Sequence, residues 1–230
     1  MITDACLDIT GYKWKSPTKL EPGMSVTYTE FRKNRFLQGI VLWLALFWIV
    51  TAINPYDRLD WFLENLLVIA YATLLIVTYR SFQFSNASYL LFAVFITLHL
   101  VGAHYTYSET PLGYWIKDIF ELERNHYDRL VHYSYGLLIA YPFRELLIRA
   151  ANVNKGWSYF LAVNMTLAFS SFFEVLEAII AELVSPELGA AYLGTQGDIW
   201  DAQKDVFLAF IGATTAMIIT WLAAKKSPGI

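Results

Sequence analysis

All four histidines of the chain, His99, His104, His126 and His132, lie within a stretch of 34 residues. Asp128 stands four residues before His132, which places both on one face of a helix. Further along, Glu174 and Glu177 are three apart, and Asp198, Asp201 and Asp205 follow at spacings of three and four, a single helical stripe. Arg124, Asn125, Arg129, Gln196 and Lys204 are interleaved with them. Neutral imidazole and carboxylate oxygen together are a ligand set for zinc, manganese or iron, and a bound ion can turn water into hydroxide at neutral pH. The candidate metal ligands are therefore His99, His104, His126, Asp128, Glu177, Asp198, Asp201 and Asp205. His132, Glu174 and Arg129 are the candidate catalytic residues: His132, or His104 at the loop edge, as general base, Glu174 as a carboxylate that joins the metal site, and Arg129, with Arg124, to hold a phosphate or carboxylate by bidentate contacts. The spacing carries no HExxH, CxxC or HxxHH signature, and four histidines are too few for a desaturase of the eight-histidine type. The same residues also admit a structural service: Asp198 as a helix cap, Asp201 and Asp205 as first-turn acids, and the arginines as salt-bridge partners.

What must position these groups is a membrane bundle. Of 230 residues, 57% are hydrophobic and 16% charged, against about 25% charged in soluble domains. Six apolar segments approach the ~20 residues that span a bilayer, at about Phe36–Ile53, Trp61–Tyr79, Ser88–His104, Tyr127–Arg149, Gly156–Val184 and Ile199–Ala224. The fourth is the most polar at its start. The expectation is an all-α, single-domain bundle of six transmembrane helices over residues 36–230, preceded by a polar segment over 1–35. Twelve Lys and Arg fall on the side of that segment and three on the other, so both termini are expected in the cytoplasm. Trp61, Tyr79, Tyr89, Tyr105, Trp157 and Trp221 stand where an interfacial aromatic belt would sit. One cysteine, Cys6, rules out an internal disulfide, no cleavable signal is visible, and a net charge of −3 without a basic tract gives no reason to expect nucleic acid.

On this topology four separate helices bring ionisable side chains to the outer half of the membrane. A charge there costs several kcal/mol unless it pairs, binds a metal or faces water. Asp57, Asp60 and Glu64 lie on the same side but read as a solvated helix start. Gly102, Gly136 and Gly212 read as sites of close helix approach, and Pro142 as a kink or an early stop. The loop over 105–125 either caps the site as a short interfacial helix or merely connects.

Three runs are distinctive: LHLVGAHYTY at 98–107, ERNHYDRLVH at 123–132 and GTQGDIWDAQKD at 194–205. Together they resemble the YjdF family of bacterial inner-membrane proteins, from about residue 36 onward. That family is defined as a domain of unknown function, so the resemblance implies an inner (plasma) membrane, multi-pass fold and no reaction. A more distant similarity connects Glu174-x-x-Glu177 and Asp198-x-x-Asp201-x-x-x-Asp205 with VanZ-like membrane proteins, although Asp205 stands where that pattern has Asn.

Two classes of function remain in view. In one the chain is a metal-dependent, hydrolase-like membrane enzyme acting on a lipid or envelope substrate with an anionic head group. In the other the buried carboxylates and histidines form the pathway of an ion- or proton-coupled transporter. A scaffold or assembly subunit whose polar cluster fixes helix register is the third option.

Overall fold

Four of the long apolar runs begin at a residue built to cap a helix. Asn34, Asp57, Ser85 and Asn154 each accept a hydrogen bond from a backbone N–H of the turn that follows; Asp57 takes two, from Leu59 at 2.8 Å and Asp60 at 2.9 Å. In the computed structural model, which describes residues 28–226, these caps open α1 (Arg35–Thr51), α2 (Arg58–Thr78), α3 (Asn86–His104) and α6 (Lys155–Leu183). A 3-10 turn at Phe31–Lys33 precedes α1. The loop at 105–125 does contain a short helix, α4 (Pro111–Ile119), with proline in its first turn. Helix α5 (Tyr127–Arg149) runs through Pro142 without ending there. A second short helix, α7 (Pro186–Tyr192), packs back on α6, and α8 (Asp201–Lys226) closes the order. The described residues contain no strand. Cys6, Lys13, Lys15, Lys19 and most of the polar segment over 1–35 lie outside the described residues.

Six long helices thus stand where six apolar segments were read. Four of them, α2, α3, α6 and α8, are long and apolar enough to cross a membrane; α1 is a shorter apolar helix of 17 residues, and α5 carries too many polar groups to qualify by composition. Their outer surfaces suit lipid: Ile76 is 74% exposed, Leu183 79% and Trp157 64%. So much apolar surface facing outward marks a bilayer-embedded protein. Two members of the expected aromatic belt are instead core residues. Trp61 and Tyr89 are buried, Trp61 against Trp48 with ring centroids 5.6 Å apart.

Helix α5 is the hub, packed by α3, α6 and α8, while α1 and α2 lie against α3. Helices α5 and α8 run parallel: Arg124, just before α5, meets Asp201 at the start of α8, Asp128 and His132 meet Asp205, and further along Gly136 lies beside Ala209 and Ala213. Backbones meet here: a Cβ on Gly136 would lie 2.0 Å from the Ala209 carbonyl oxygen, and one on Gly212 2.1 Å from that of Tyr133. Gly136→Ala must therefore push α8 off α5. A loss of about 1–3 kcal/mol or more is expected, read as a lower thermal midpoint, with Gly39→Ala as the neutral control because nothing lies within 4 Å of its Cβ position. Gly102 serves another purpose. It makes room for the Tyr107 ring, 2.5 Å from where its Cβ would be, and not for a neighbouring helix.

Candidate functional site

The parallel packing of α5 and α8 sets their first turns side by side. Asp128 and His132 of α5 and Asp205 of α8 each aim one ligand-type atom into a common point, all within 4.8 Å of one another. Glu174 of α6 completes a ring: its Oε1 and the Asp128 Oδ1 each lie 3.5 Å from His132 Nε2. His132 and Asp205 are buried, and Asp205 Oδ1 has no hydrogen-bond partner among the described residues. Glu177, one turn along α6, lies against Glu174.

A second layer lies above this ring and consumes the arginines. Arg124 donates to Asp201, to the Thr195 carbonyl at 2.9 Å and to the Gly194 carbonyl at 3.1 Å. Arg129 donates to Asp198 and, at 3.2 Å, to Asp201; Lys204 reaches Asp198 at 2.5 Å. Gln196 zips the two loops together, accepting from the Asn125 N–H at 3.0 Å and donating to the Asn125 carbonyl at 2.9 Å. Gly194, Gln196 and Gly197 take positive φ there, which makes the turn tight enough to present these carbonyls. Lys204 first, then the Trp200 N–H and Arg129, hold Asp198 below the ordinary carboxylate range. His126, 3.5 Å from Arg129, is pushed below the usual imidazole value by burial and then by Arg129 and Arg124. Asp198, Asp201, Arg129 and His126 thus form a clamp between loops, separate from the point where Asp128, His132 and Asp205 converge.

The remaining histidines face other partners. His99 Nε2–H donates to the Glu64 carbonyl at 3.1 Å, since a carbonyl only accepts, and its Nδ1 accepts from the Tyr107 hydroxyl at 2.6 Å. Both ring nitrogens are in use. His104 donates from Nδ1 to the Thr51 carbonyl at 2.9 Å and ties α3 to the end of α1. Neither offers a ring nitrogen to the point where Asp128, His132 and Asp205 converge.

Two groups of residues escaped the sequence reading. Asp60 and Glu64, read as a solvated helix start, are buried at 1% and 3% exposure, and only Asp57 stays in solvent as the cap. Both Asp60 oxygens lack a hydrogen-bond partner among the described residues, and Glu64 is close enough to interact with Asp128 and His132. At the other end of α5, Glu145 is fully buried and accepts from the Ser85 N–H and hydroxyl, both at 2.7 Å, from the Ser88 hydroxyl at 2.5 Å, and from Arg149. Arg144 lies 3.9 Å from the Tyr159 ring centre. The signal available was Arg144-Glu145 at a membrane edge; nothing local said that Ser85 and Ser88 would cap it.

A cavity of about 590 Å3 descends from the ring, within the range of small-molecule pockets. His99, Tyr107, Asp128, His132 and Glu177 line its polar end; the rest is mostly Leu, Phe, Tyr and Ala of α2, α3, α5 and α6.

Comparison with known proteins agrees with this membrane architecture. Residues 36–226 match the family described as "Predicted membrane protein (DUF2238)". The chain is 36% identical over 191 residues to "Inner membrane protein YjdF" of Escherichia coli (strain K12), covering 83% of this chain and 91% of the relative. No solved structure matches. The similarity to VanZ-like proteins finds no support in these matches and rests on spacing alone. The chain is a multi-pass inner-membrane protein and belongs to the family described as "Predicted membrane protein (DUF2238)".

Proposed function

We propose that six helices (α1, α2, α3, α5, α6 and α8) span the membrane with both termini in the cytoplasm. In this reading Asp128, His132 and Asp205, with Glu174 beside them, hold one divalent cation, zinc, manganese or iron, in a hydrolase-like enzyme. Its substrate is a lipid or envelope molecule with an anionic head group. The observation that carries the metal site is the convergence of three ligand-type atoms from two helices within 4.8 Å. Charge supports it. Arg124, Arg129 and Lys204 hydrogen-bond to Asp198 and Asp201, so Asp128 and Glu174 have His132 as their ion-pair partner, and Arg129 reaches Asp205 only through space. Carboxylates gathered in a low-dielectric slab need compensation, and one divalent ion neutralises two of the four charges on Asp128, Glu174, Glu177 and Asp205.

A bound ion of this kind supplies a hydroxide from water and polarises a phosphoryl or carbonyl oxygen. The chain's own residues do the rest. Glu177, one turn from Glu174 on α6, is the carboxylate left to take a proton; His132 is fixed between Asp128 and Glu174; the clamp of Arg124 and Arg129 fixes the α5 and α8 first turns against one another. Transport is the weaker reading, because below the ring the cavity carries no carboxylate or imidazole, and Tyr71, Tyr135, Ser170, Thr78 and Ser81 are its polar side chains among Phe, Leu and Ala.

Thermal unfolding in detergent tests the site. After chelation and dialysis, adding Mn2+ or Zn2+ to about 100 times its Kd is expected to stabilise the wild type by about 2.7 kcal/mol, a rise of about 5–10 °C, and to leave His132→Ala unmoved. In a parallel assay with inner-membrane lipid extract, mass spectrometry should show a lipid consumed by metal-loaded protein alone. Equal shifts in both proteins, or no lipid consumed, would overturn the respective half of the proposal.

A further inference from the structure

The cavity is open along one flank. Helix α2 packs on α3 and touches α7, and α6 packs on α5, α7 and α8, but α2 and α6 do not pack against each other. Between them lie Leu74, 60% exposed, and Phe172, 58% exposed, both lining the cavity and both reaching its outside. The opposite wall is deep: Phe92 and Phe95 of α3 are buried at 5% and 6%. Along α5 the lining extends from His132 to Ala150, about 27 Å at 1.5 Å per residue, against ~15 Å for half of the hydrocarbon core. The cleft therefore accommodates a chain of full leaflet length. Its polarity is graded in the sense of a lipid, with carboxylates and imidazoles at one end and mostly Leu, Phe and Ala along the length, Tyr71, Tyr135 and Ser170 among them. Ser170, buried midway with no hydrogen-bond partner for its hydroxyl among the described residues, is the one small polar residue of α6 on this wall.

We infer that the cleft between α2 and α6 takes a hydrocarbon chain of a membrane phospholipid from the side, leaving the head group at the Asp128–His132–Glu177 end. This names the substrate class of the enzyme proposed above. It rests on the membrane-spanning reading and not on the metal, so the two can fail separately.

The occupant is bulk phospholipid and not a second protein, because the mouth opens where the bilayer itself contacts α2 and α6. The full chain is reconstituted in phosphatidylethanolamine–phosphatidylglycerol vesicles that contain phosphatidylethanolamine with a photoactivatable diazirine, either near the head or at the chain end. Bulk lipid labels exposed residues such as Trp221 and Ile218 in every sample. Lipid within the cleft additionally labels residues that line it: the half-buried Tyr135 and Phe173 from the probe near the head, the buried Phe92 from the chain-end probe. Ser170→Trp, which fills the cleft midway, is expected to abolish the Phe92 label and spare the Trp221 label; Ala70→Trp, on the opposing wall, does the same and stands in if the first variant fails to fold. Both should keep the metal-dependent thermal shift of the wild type. Labels confined to outward-facing residues in the wild type, Phe92 labelled equally in folded cleft-filled variants, or the two probes labelling in reversed order would overturn the inference. Loss of the thermal shift with intact cleft labelling would sink the metal site instead.

Discussion

Asp205→Asn is expected to release the bound divalent cation and leave the fold standing. Asp205 is 2% exposed, shares its surroundings with Asp128, His132, Asp201 and Glu174, and has one carboxylate oxygen with no hydrogen-bond partner among the described residues. With the cation in place, that charge is a ligand. Without it, the same charge is a buried carboxylate among carboxylates, which costs several kcal/mol before compensation. Removing it therefore acts in opposite directions in the two states. Metal affinity should fall by more than the 10–100-fold that loss of an outer-shell partner typically causes. In chelator, the Asn variant should unfold at the same temperature as the chelated wild type or above it. If Asp205 served only to hold helices together, the variant would instead unfold lower with and without metal, by the ~1–3 kcal/mol of a lost buried polar contact. Metal content and thermal midpoint, each measured in metal and in chelator, separate the two outcomes.

Arg124→Met is expected to be the most damaging single change to the fold. The side chain is buried, and it joins Asp201 to the carbonyls of Gly194 and Thr195, fixing the loop before α8 against the start of α5. Its removal leaves Asp201 only the Arg129 contact at 3.2 Å and takes the donor from both carbonyls, a cost at the lower end of the about 3–5 kcal/mol of a broken buried pair, roughly 10 °C in midpoint for a chain of this size. Much of that loss should return in Arg124→Met/Asp201→Leu, which removes both charges. Lys204→Met is the contrast. Its side chain is 49% exposed while it pairs with Asp198, so about 0–1 kcal/mol is expected. Thermal unfolding of the four proteins, with proteolysis of the loop at 193–200 as a local readout, checks the series. Equal losses for Arg124→Met and Lys204→Met would contradict the clamp.

The two layers of polar residues differ in how legible they were. Helix positions follow from apolar run lengths because lipid leaves the backbone no other way to satisfy its hydrogen bonds, so α6, read as about Gly156–Val184, is observed as Lys155–Leu183. The Asp128–His132 pair is equally legible, being local: four residues on one helix face. The pairing of Arg124 with Asp201 and of Arg129 with Asp198 joins residues about seventy positions apart, and no local pattern distinguishes it from ligand or anion duty. Asp60 shows the limit most plainly. Next to Asp57 and Pro55 it looks like any solvated helix start, and what buries it is tertiary packing of α2 against α3 and α7. His99 is similar: its ring is held by a carbonyl from α2 and a tyrosine from the following loop, and that tyrosine fits only because residue 102 is glycine.

Elemental quantification of the full-length protein, purified without chelator from membranes grown with added zinc, manganese and iron, bears most directly on the cation held by Asp128, His132 and Asp205. One equivalent of a single divalent metal is expected in the wild type, with background levels in Asp205→Asn and His132→Ala and full retention in Lys204→Met. Wild-type protein that carries no stoichiometric metal and binds none on titration, or variants that hold as much as the wild type, would contradict it.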